Sequence, residues 1–302
     1  MTPRLAIEFL LLAAVWGGSY LAMQFSVREF GVFGMGFTRV AAAAAVLLPL
    51  LVLRAQVHLL RRHLAPVLLL GILNSALPFS FNSWSLLHIT SGLSSIVNAT
   101  MPLFGALVAW LWLGERLTGS RVLGLAIGFG GVAWLSWDGL QGGAGPLAGW
   151  AILAGLASAL SYGASSSLAR RSLGDVPPTA VAAGSQLGAM AGLYLPAALH
   201  LPASMPGPVA WAAVLTGGVV CSALGYLLFF RLVERVGPSV PLTVTFLVPV
   251  FAMFYGAVLA GEQITLAMVL AGGVILAGVA LATGLLRIGA RPAVAPLPRA
   301  PG

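Results

Sequence analysis

Long apolar stretches, each closed by a short polar break, recur along the whole chain. Ten stand out: Leu5 to Ser26, Val32 to Leu53, Leu64 to Leu87, Gly92 to Leu113, Ser120 to Trp137, Leu147 to Leu168, Thr179 to Leu199, Val209 to Phe230, Val240 to Ala260 and Ile264 to Leu286. A helix needs about 20 apolar residues to cross the hydrocarbon core of a bilayer. Barrel strands read instead as alternating segments of about ten residues, and only helices and closed barrels satisfy every backbone group in lipid. The pattern predicts an all-α integral membrane protein of ten transmembrane helices. The first stretch is too long for a secretory leader and ends in no small-residue cleavage site.

Composition agrees. With 59% hydrophobic and 7% charged residues and a mean hydropathy of +1.01, there is too little polar surface to cover a soluble globule. The lone cysteine, Cys221, allows no internal disulfide and reads as packing within the eighth stretch. A net charge of +8 suggests nucleic acid in a soluble protein, but in a membrane chain the distribution decides. Assigning the breaks alternately to two faces puts thirteen of the fifteen basic residues, all arginines, on one face; only Arg28 lies in a break on the other, with Arg39 inside the second stretch. Cytoplasmic loops retain arginine, so both termini are expected in the cytoplasm.

Shifted by 147 residues without gaps, the chain matches itself: Pro49 meets Pro196, Gly71 meets Gly218, Ser75-Ala76-Leu77 meets Ser222-Ala223-Leu224, Pro102 meets Pro249, and Gly114-Glu115 meets Gly261-Glu262. Paired prolines and a Gly-Glu pair in one register indicate duplication rather than shared composition. Each half holds five helices, an odd number, so the second enters from the opposite side and lies inverted. The expected organisation is a first repeat over 1–137, an external linker over 138–146, an inverted second repeat over 147–287, and a disordered basic, proline-rich cytoplasmic tail over 288–302. Inverted repeats place a substrate site at their midplane interface and exchange its exposure between the two faces.

Trp16-Gly17-Gly18-Ser19-Tyr20, Arg39 early in the second stretch, and Pro102 followed thirteen residues later by Glu115 in Gly-Glu-Arg-Leu-Thr resemble the drug/metabolite transporter superfamily in its ten-helix EamA branch. The resemblance covers nearly the whole chain. It implies a bacterial inner-membrane carrier of amino acids or other metabolites. Asn98-Ala99-Thr100-Met101 stands where aromatics are expected in a dedicated aromatic amino-acid exporter, which argues against a narrow aromatic preference.

Polar residues in a spanning helix turn toward protein or water, so their helical phase marks a candidate pathway. The third stretch carries Asn74, Pro78, Asn82 and Ser85 on one side, and the fourth carries Ser94, Ser95, Asn98, Met101 and Pro102. Trp16, Tyr20 and Gln24 come from the first stretch, Ser161, Tyr162 and Ser165 from the sixth, and Gln186, the repeat partner of Arg39, from the seventh. Ser222 and Tyr226 come from the eighth stretch, and Ser239, Thr243 and Phe246 from the region of the ninth. The competing reading of each such residue is an interhelical hydrogen bond. The glycine-rich fifth and tenth stretches read as packing helices.

A proline inside a helix frees the carbonyl four residues earlier: that of Asn98 for Pro102, of Thr245 for Pro249, of Asn74 for Pro78. These prolines, with Gly225 as the repeat partner of Pro78, are candidate hinges or static kinks. Arg39 is expected to reach the external interface beside Glu29, or to act as a gate or carboxylate contact. Glu115 and Glu262, after glycines at helix ends, read as caps.

No acid lies at the centre of any stretch, which disfavours permanently cationic cargo, and Arg39 alone is too little for sugar phosphates. A neutral or zwitterionic metabolite fits, amino acids first, with nucleosides or other uncharged compounds and drugs as the alternative. No metal cluster, phosphate-binding loop or catalytic constellation appears, so no cofactor and no enzyme is expected, and a membrane receptor or scaffold is the rival class. The expected partners are a small-molecule substrate and the bilayer, with no nucleic acid, and the chain is read as working as a monomer.

Overall fold

The computed structural model describes residues 3–141, 145–237 and 243–286, with the side chains of 138–141 left aside. Outside it fall the tail over 288–302, residues 142–144 of the proposed linker, Ser239, Arg287, Arg291, Arg299 and the start of the ninth stretch at Val240, while 138–141 continue the preceding helix. The described residues form helices and turns, with no strand among them. Seven helical segments are long and apolar enough to cross a membrane.

The first is the 51-residue run Pro3–Leu53, folded back on itself at Gly31 (φ 71, ψ 170). That conformation suits a residue without Cβ. Its arms are α1 (3–30) and α2 (32–53). A short α3 (Val57–Arg62) leads into α4 (Leu64–Leu86). Then come α5 (Ser91–Asn98), α6 (Met101–Leu113), α7 (Gly119–Gln141), α8 (Ala148–Ser172), α9 (Pro178–Leu199) and α10 (Pro208–Val236). A 3₁₀ turn (Thr243–Phe246) precedes α11 (Val248–Ala260), and α12 (Leu266–Ala282) ends the described chain.

The expected prolines do different work. Pro102 and Pro249 sit in the first turns of α6 and α11, where a missing N–H is no loss. They begin helices rather than kinking them, so the fourth stretch is two helices, interrupted at Ala99 and Thr100. In α4 and α10 the irregularity is a π-helical segment, Ile72–Ala76 and Gly217–Leu224. Pro78 and Gly225 stand where α-geometry resumes. A π segment widens the helix by one residue and leaves a carbonyl to be satisfied elsewhere. Ser161 donates to the Leu73 carbonyl at 2.7 Å and Ser222 to that of Gly217 at 3.0 Å.

The repeat is visible in detail. At the 147-residue offset α6 becomes α11, and their terminal glycines, Gly114 (φ 70) and Gly261 (φ 66), adopt the same left-handed conformation that closes a helix. Gly71 presses α4 against Ala189 of α9, and Gly218 presses α10 against Ala42 of α2, which are again repeat partners. The two glycine-rich helices α7 and α12 meet backbone to backbone: a Cβ on Gly278 would lie 2.6 Å from the Cα of Gly128.

Polarity runs outside in. Leu111, Val258 and Leu266 are more than 60% exposed, whereas Ser26, Ser75, Ser83 and Gln186 are fully buried. Lipid takes the apolar rim, and the polar groups lie within the bundle. The described acids sit at its ends, and each of five joins the two repeats: Glu8 to Arg235, Glu115 to Arg170 and Asp175 to His63 at one end, Glu29 to the Gly207 N–H and Glu262 to Ser91 at the other.

Candidate functional site

Between the repeats lies a cavity of about 390 Å³. The π segment of α4 and the residues after it turn Asn74, Phe79 and Asn82 onto its wall; the corresponding part of α10 supplies Cys221, Ser222 and Tyr226. Trp16 and Tyr20 come from α1, Asn98 and Met101 from either side of the α5–α6 interruption, and Tyr162 from α8. Among the described residues no Asp or Glu lines it, and Arg39 of α2 is the one charged side chain that does.

The wall is cross-braced. Asn74 Nδ2 donates to the Tyr226 hydroxyl at 3.0 Å and its Oδ1 accepts from Ser165 at 3.2 Å, so one residue ties α4 to both α10 and α8. Ser158 donates to Asn98 Oδ1 at 3.2 Å. Trp16 packs against Phe229 with ring centroids 5.5 Å apart. Arg39 is 4% exposed; its Nε donates to Ser222 Oγ at 3.1 Å, and its guanidinium carbon stands 4.1 Å from the centre of the Phe79 ring.

Of the thirteen residues expected to line a pathway, eight meet here: Trp16, Tyr20, Asn74, Asn82, Asn98, Met101, Tyr162 and Tyr226. Five do not. Ser161 is spent on the π-segment carbonyl. Gln186 is fully buried, donating to Ser185 Oγ at 3.3 Å, and it is Ser185 that reaches the cavity. Pro78 is buried in the α4 wall. Thr243 and Phe246 lie on the 3₁₀ turn, whose tighter winding presents Thr245 instead.

Arg39 departs furthest from expectation. It does not reach Glu29, whose carboxylate accepts from the Gly207 N–H; packing under Ser222 and Phe79 holds the guanidinium inside. Cys221, read as packing, lies on the cavity wall. The caps also differ: Glu262 accepts from Ser91 N at 2.7 Å and Gly92 N at 3.2 Å, capping α5 rather than its own helix, while Glu115 makes ion pairs with Arg170 and Arg121. Phe79 and Ser185 escaped the sequence reading because a π segment shifts helical phase and because serine recurs throughout the chain.

The EamA-like transporter family matches residues 4–137 and again 149–284. The chain belongs to that family. It is thus a multi-pass membrane transporter built from two copies of one unit, with residues of both lining the cavity. It is 27% identical to a probable terminal-alkyne amino-acid exporter of Streptantibioticus cattleyicolor, over 85% of this chain and 86% of that protein. Identity is likewise 27% to the inner membrane transporter YedA of Escherichia coli, over 94% of this chain and 92% of that one. A solved crystal structure superposes with a TM-score of 0.66 at 24% identity, covering 94% of this chain and 98% of the other; at that identity it speaks for the fold alone.

Proposed function

We propose that this transporter is a secondary carrier that exports small neutral or zwitterionic metabolites, amino acids first among them, through the cavity between its repeats. On this reading ten spans form two inverted five-helix repeats in a bacterial inner membrane, both termini are cytoplasmic, the monomer is the working unit, and transport proceeds by alternating access. The observation that carries the reading is the cavity. Its volume of about 390 Å³ falls in the range of roughly 300–1,000 Å³ common for small-molecule sites, both repeats contribute to its wall, and no described carboxylate is there to pair a permanent cation. The amino-acid assignment also draws on the relative from Streptantibioticus cattleyicolor, which is named a probable terminal-alkyne amino-acid exporter.

The end-to-end acidic contacts fit alternating access, because contacts at one end must break when the cavity opens there. Pro78 and Gly225, at the edges of the two π segments, are the proposed hinges; Pro102 and Pro249 border the interruptions that flank the cavity, and Arg39, on its wall, is the proposed gate. The deciding experiment is uptake of radiolabelled amino acids into liposomes containing only this protein. Saturable flux is the expected result. Flux of nucleosides but not amino acids transfers the assignment to uncharged metabolites, and no flux of any solute overturns it in favour of a receptor or scaffold.

A further inference from the structure

The offset that relates the repeats also pairs residues in and around the cavity. Arg39 corresponds to Gln186, Ser222 to Ser75, Phe79 to Tyr226, and Asn74 to Cys221. The first of these pairs sets a cation against a neutral amide. On the neutral side the Asn74 amide and the Tyr226 hydroxyl satisfy each other. On the other side Arg39 is buried and spends Nε on Ser222, while Nη1, also buried, has no hydrogen-bond partner among the described residues.

A guanidinium carries five N–H donors and no acceptor, and an unpaired charge in a membrane protein is expensive to bury. Five of the described acids that could relieve it are engaged elsewhere: Glu8, Glu29, Glu115, Asp175 and Glu262 all hold partners at the ends of the bundle. Glu234 is exposed near the end of α10. None of these described acids pairs with Arg39, which leaves its guanidinium open to a counter-charge carried by a ligand. Arginine suits a planar anion better than lysine does, since its rigid fork matches both oxygens of a carboxylate, and Phe79 beneath it fixes the plane of that fork.

We propose that Arg39 is the carboxylate-recognition residue of the transport site, so that cargo must carry a carboxylate and its remainder lies toward Trp16, Tyr162 and Tyr226. This rests on the cavity being the transport site. One cation on the wall matches one negative charge, which favours a monocarboxylate or a zwitterionic amino acid over a phosphate dianion, and it disfavours nucleosides, which have no anionic group to offer.

Counterflow in proteoliposomes tests it. Wild-type protein is loaded with a panel of zwitterionic amino acids, each paired with its own amide. The expected result is flux of at least one amino acid with at least tenfold less flux of its amide. Arg39→Gln is expected to lower amino-acid flux at least tenfold and to abolish the preference for acid over amide, and Arg39→Lys to restore part of both. Equal wild-type flux of acid and amide overturns the proposal while leaving the carrier reading intact, as does Arg39→Gln flux at the wild-type rate with its preference unchanged. Should Arg39→Gln fail to fold, the wild-type comparison of acid with amide decides alone. No wild-type flux of any amino acid overturns the amino-acid reading itself and this proposal with it.

Discussion

Ser91 and Glu262 stand 171 residues apart in sequence, yet the backbone N–H of Ser91 donates to the Glu262 carboxylate at 2.7 Å and its hydroxyl at 3.0 Å. A carboxylate from the second repeat thereby caps the first turn of α5 in the first, where free N–H groups and the helix dipole both favour an anion. The cap does two things at once: it completes a helix end and closes one end of the interface between the repeats.

Replacing Glu262 with alanine is expected to cost about 1–2 kcal/mol of stability, the usual worth of a lost helix cap. It is also expected to loosen that end of the cavity. Cys221, the sole cysteine, lies on the cavity wall and is 4% exposed, so it reports on access. Membrane-impermeant thiol reagents applied from the α5 end should label it faster in Glu262→Ala than in wild type; an unchanged rate argues against a closing role for this contact.

The same cysteine tests where substrate sits. Saturating amounts of a transported solute should slow labelling of Cys221 in wild-type protein, because the thiol shares its wall with Ser222 and Tyr226. Equal labelling with and without a solute that is demonstrably carried places the substrate elsewhere.

The glycines of α12 separate a packing role from a helix-propensity effect. Alanine at Gly278 drives a methyl to 2.6 Å from the Gly128 Cα and is expected to cost about 1–3 kcal/mol, as overpacking does. Alanine at Gly273 meets nothing within 4 Å and should stabilise the helix by about 0.5–1 kcal/mol. Thermal unfolding in detergent distinguishes them, and equal effects would show that close approach of α7 and α12 is not what these glycines provide.

Gly225 is proposed as a hinge, but it has a second constraint: a Cβ there would lie 2.7 Å from Trp16 Nε1. Gly225→Ala should therefore slow transport relative to wild type, and slow it less relative to Trp16→Phe when made in that background if the clash is the cause. If Gly225→Ala costs the same factor in both backgrounds, the loss of backbone freedom is what matters and the hinge reading gains.

Much of the molecule was legible from the chain. Hydropathy marked the apolar stretches, the 147-residue register marked the duplication, and the small residues of the fifth and tenth stretches marked the pair that packs without lining the cavity. These are local or periodic properties, which a linear pattern carries. The polar stripes located Asn74, Asn82 and Asn98 because a regular helix keeps its phase over a few turns.

What the chain alone left open was decided by contacts between distant residues and by departures from regular helix. The π segments at Ile72–Ala76 and Gly217–Leu224 shift helical phase, so Phe79 and Cys221 reach the wall while Ser161 is consumed by a carbonyl. The 3₁₀ turn exchanges Thr243 for Thr245 by the same logic. Whether Arg39 reached outward or stayed inside depended on Ser222, 183 residues away, and on the Phe79 ring, and a pairing of that kind exists only once both repeats have packed. Sequence thus determined solvent and duplication; tertiary structure determined which buried charge faces the cavity, because burial and pairing belong to the assembled bundle and not to any one helix.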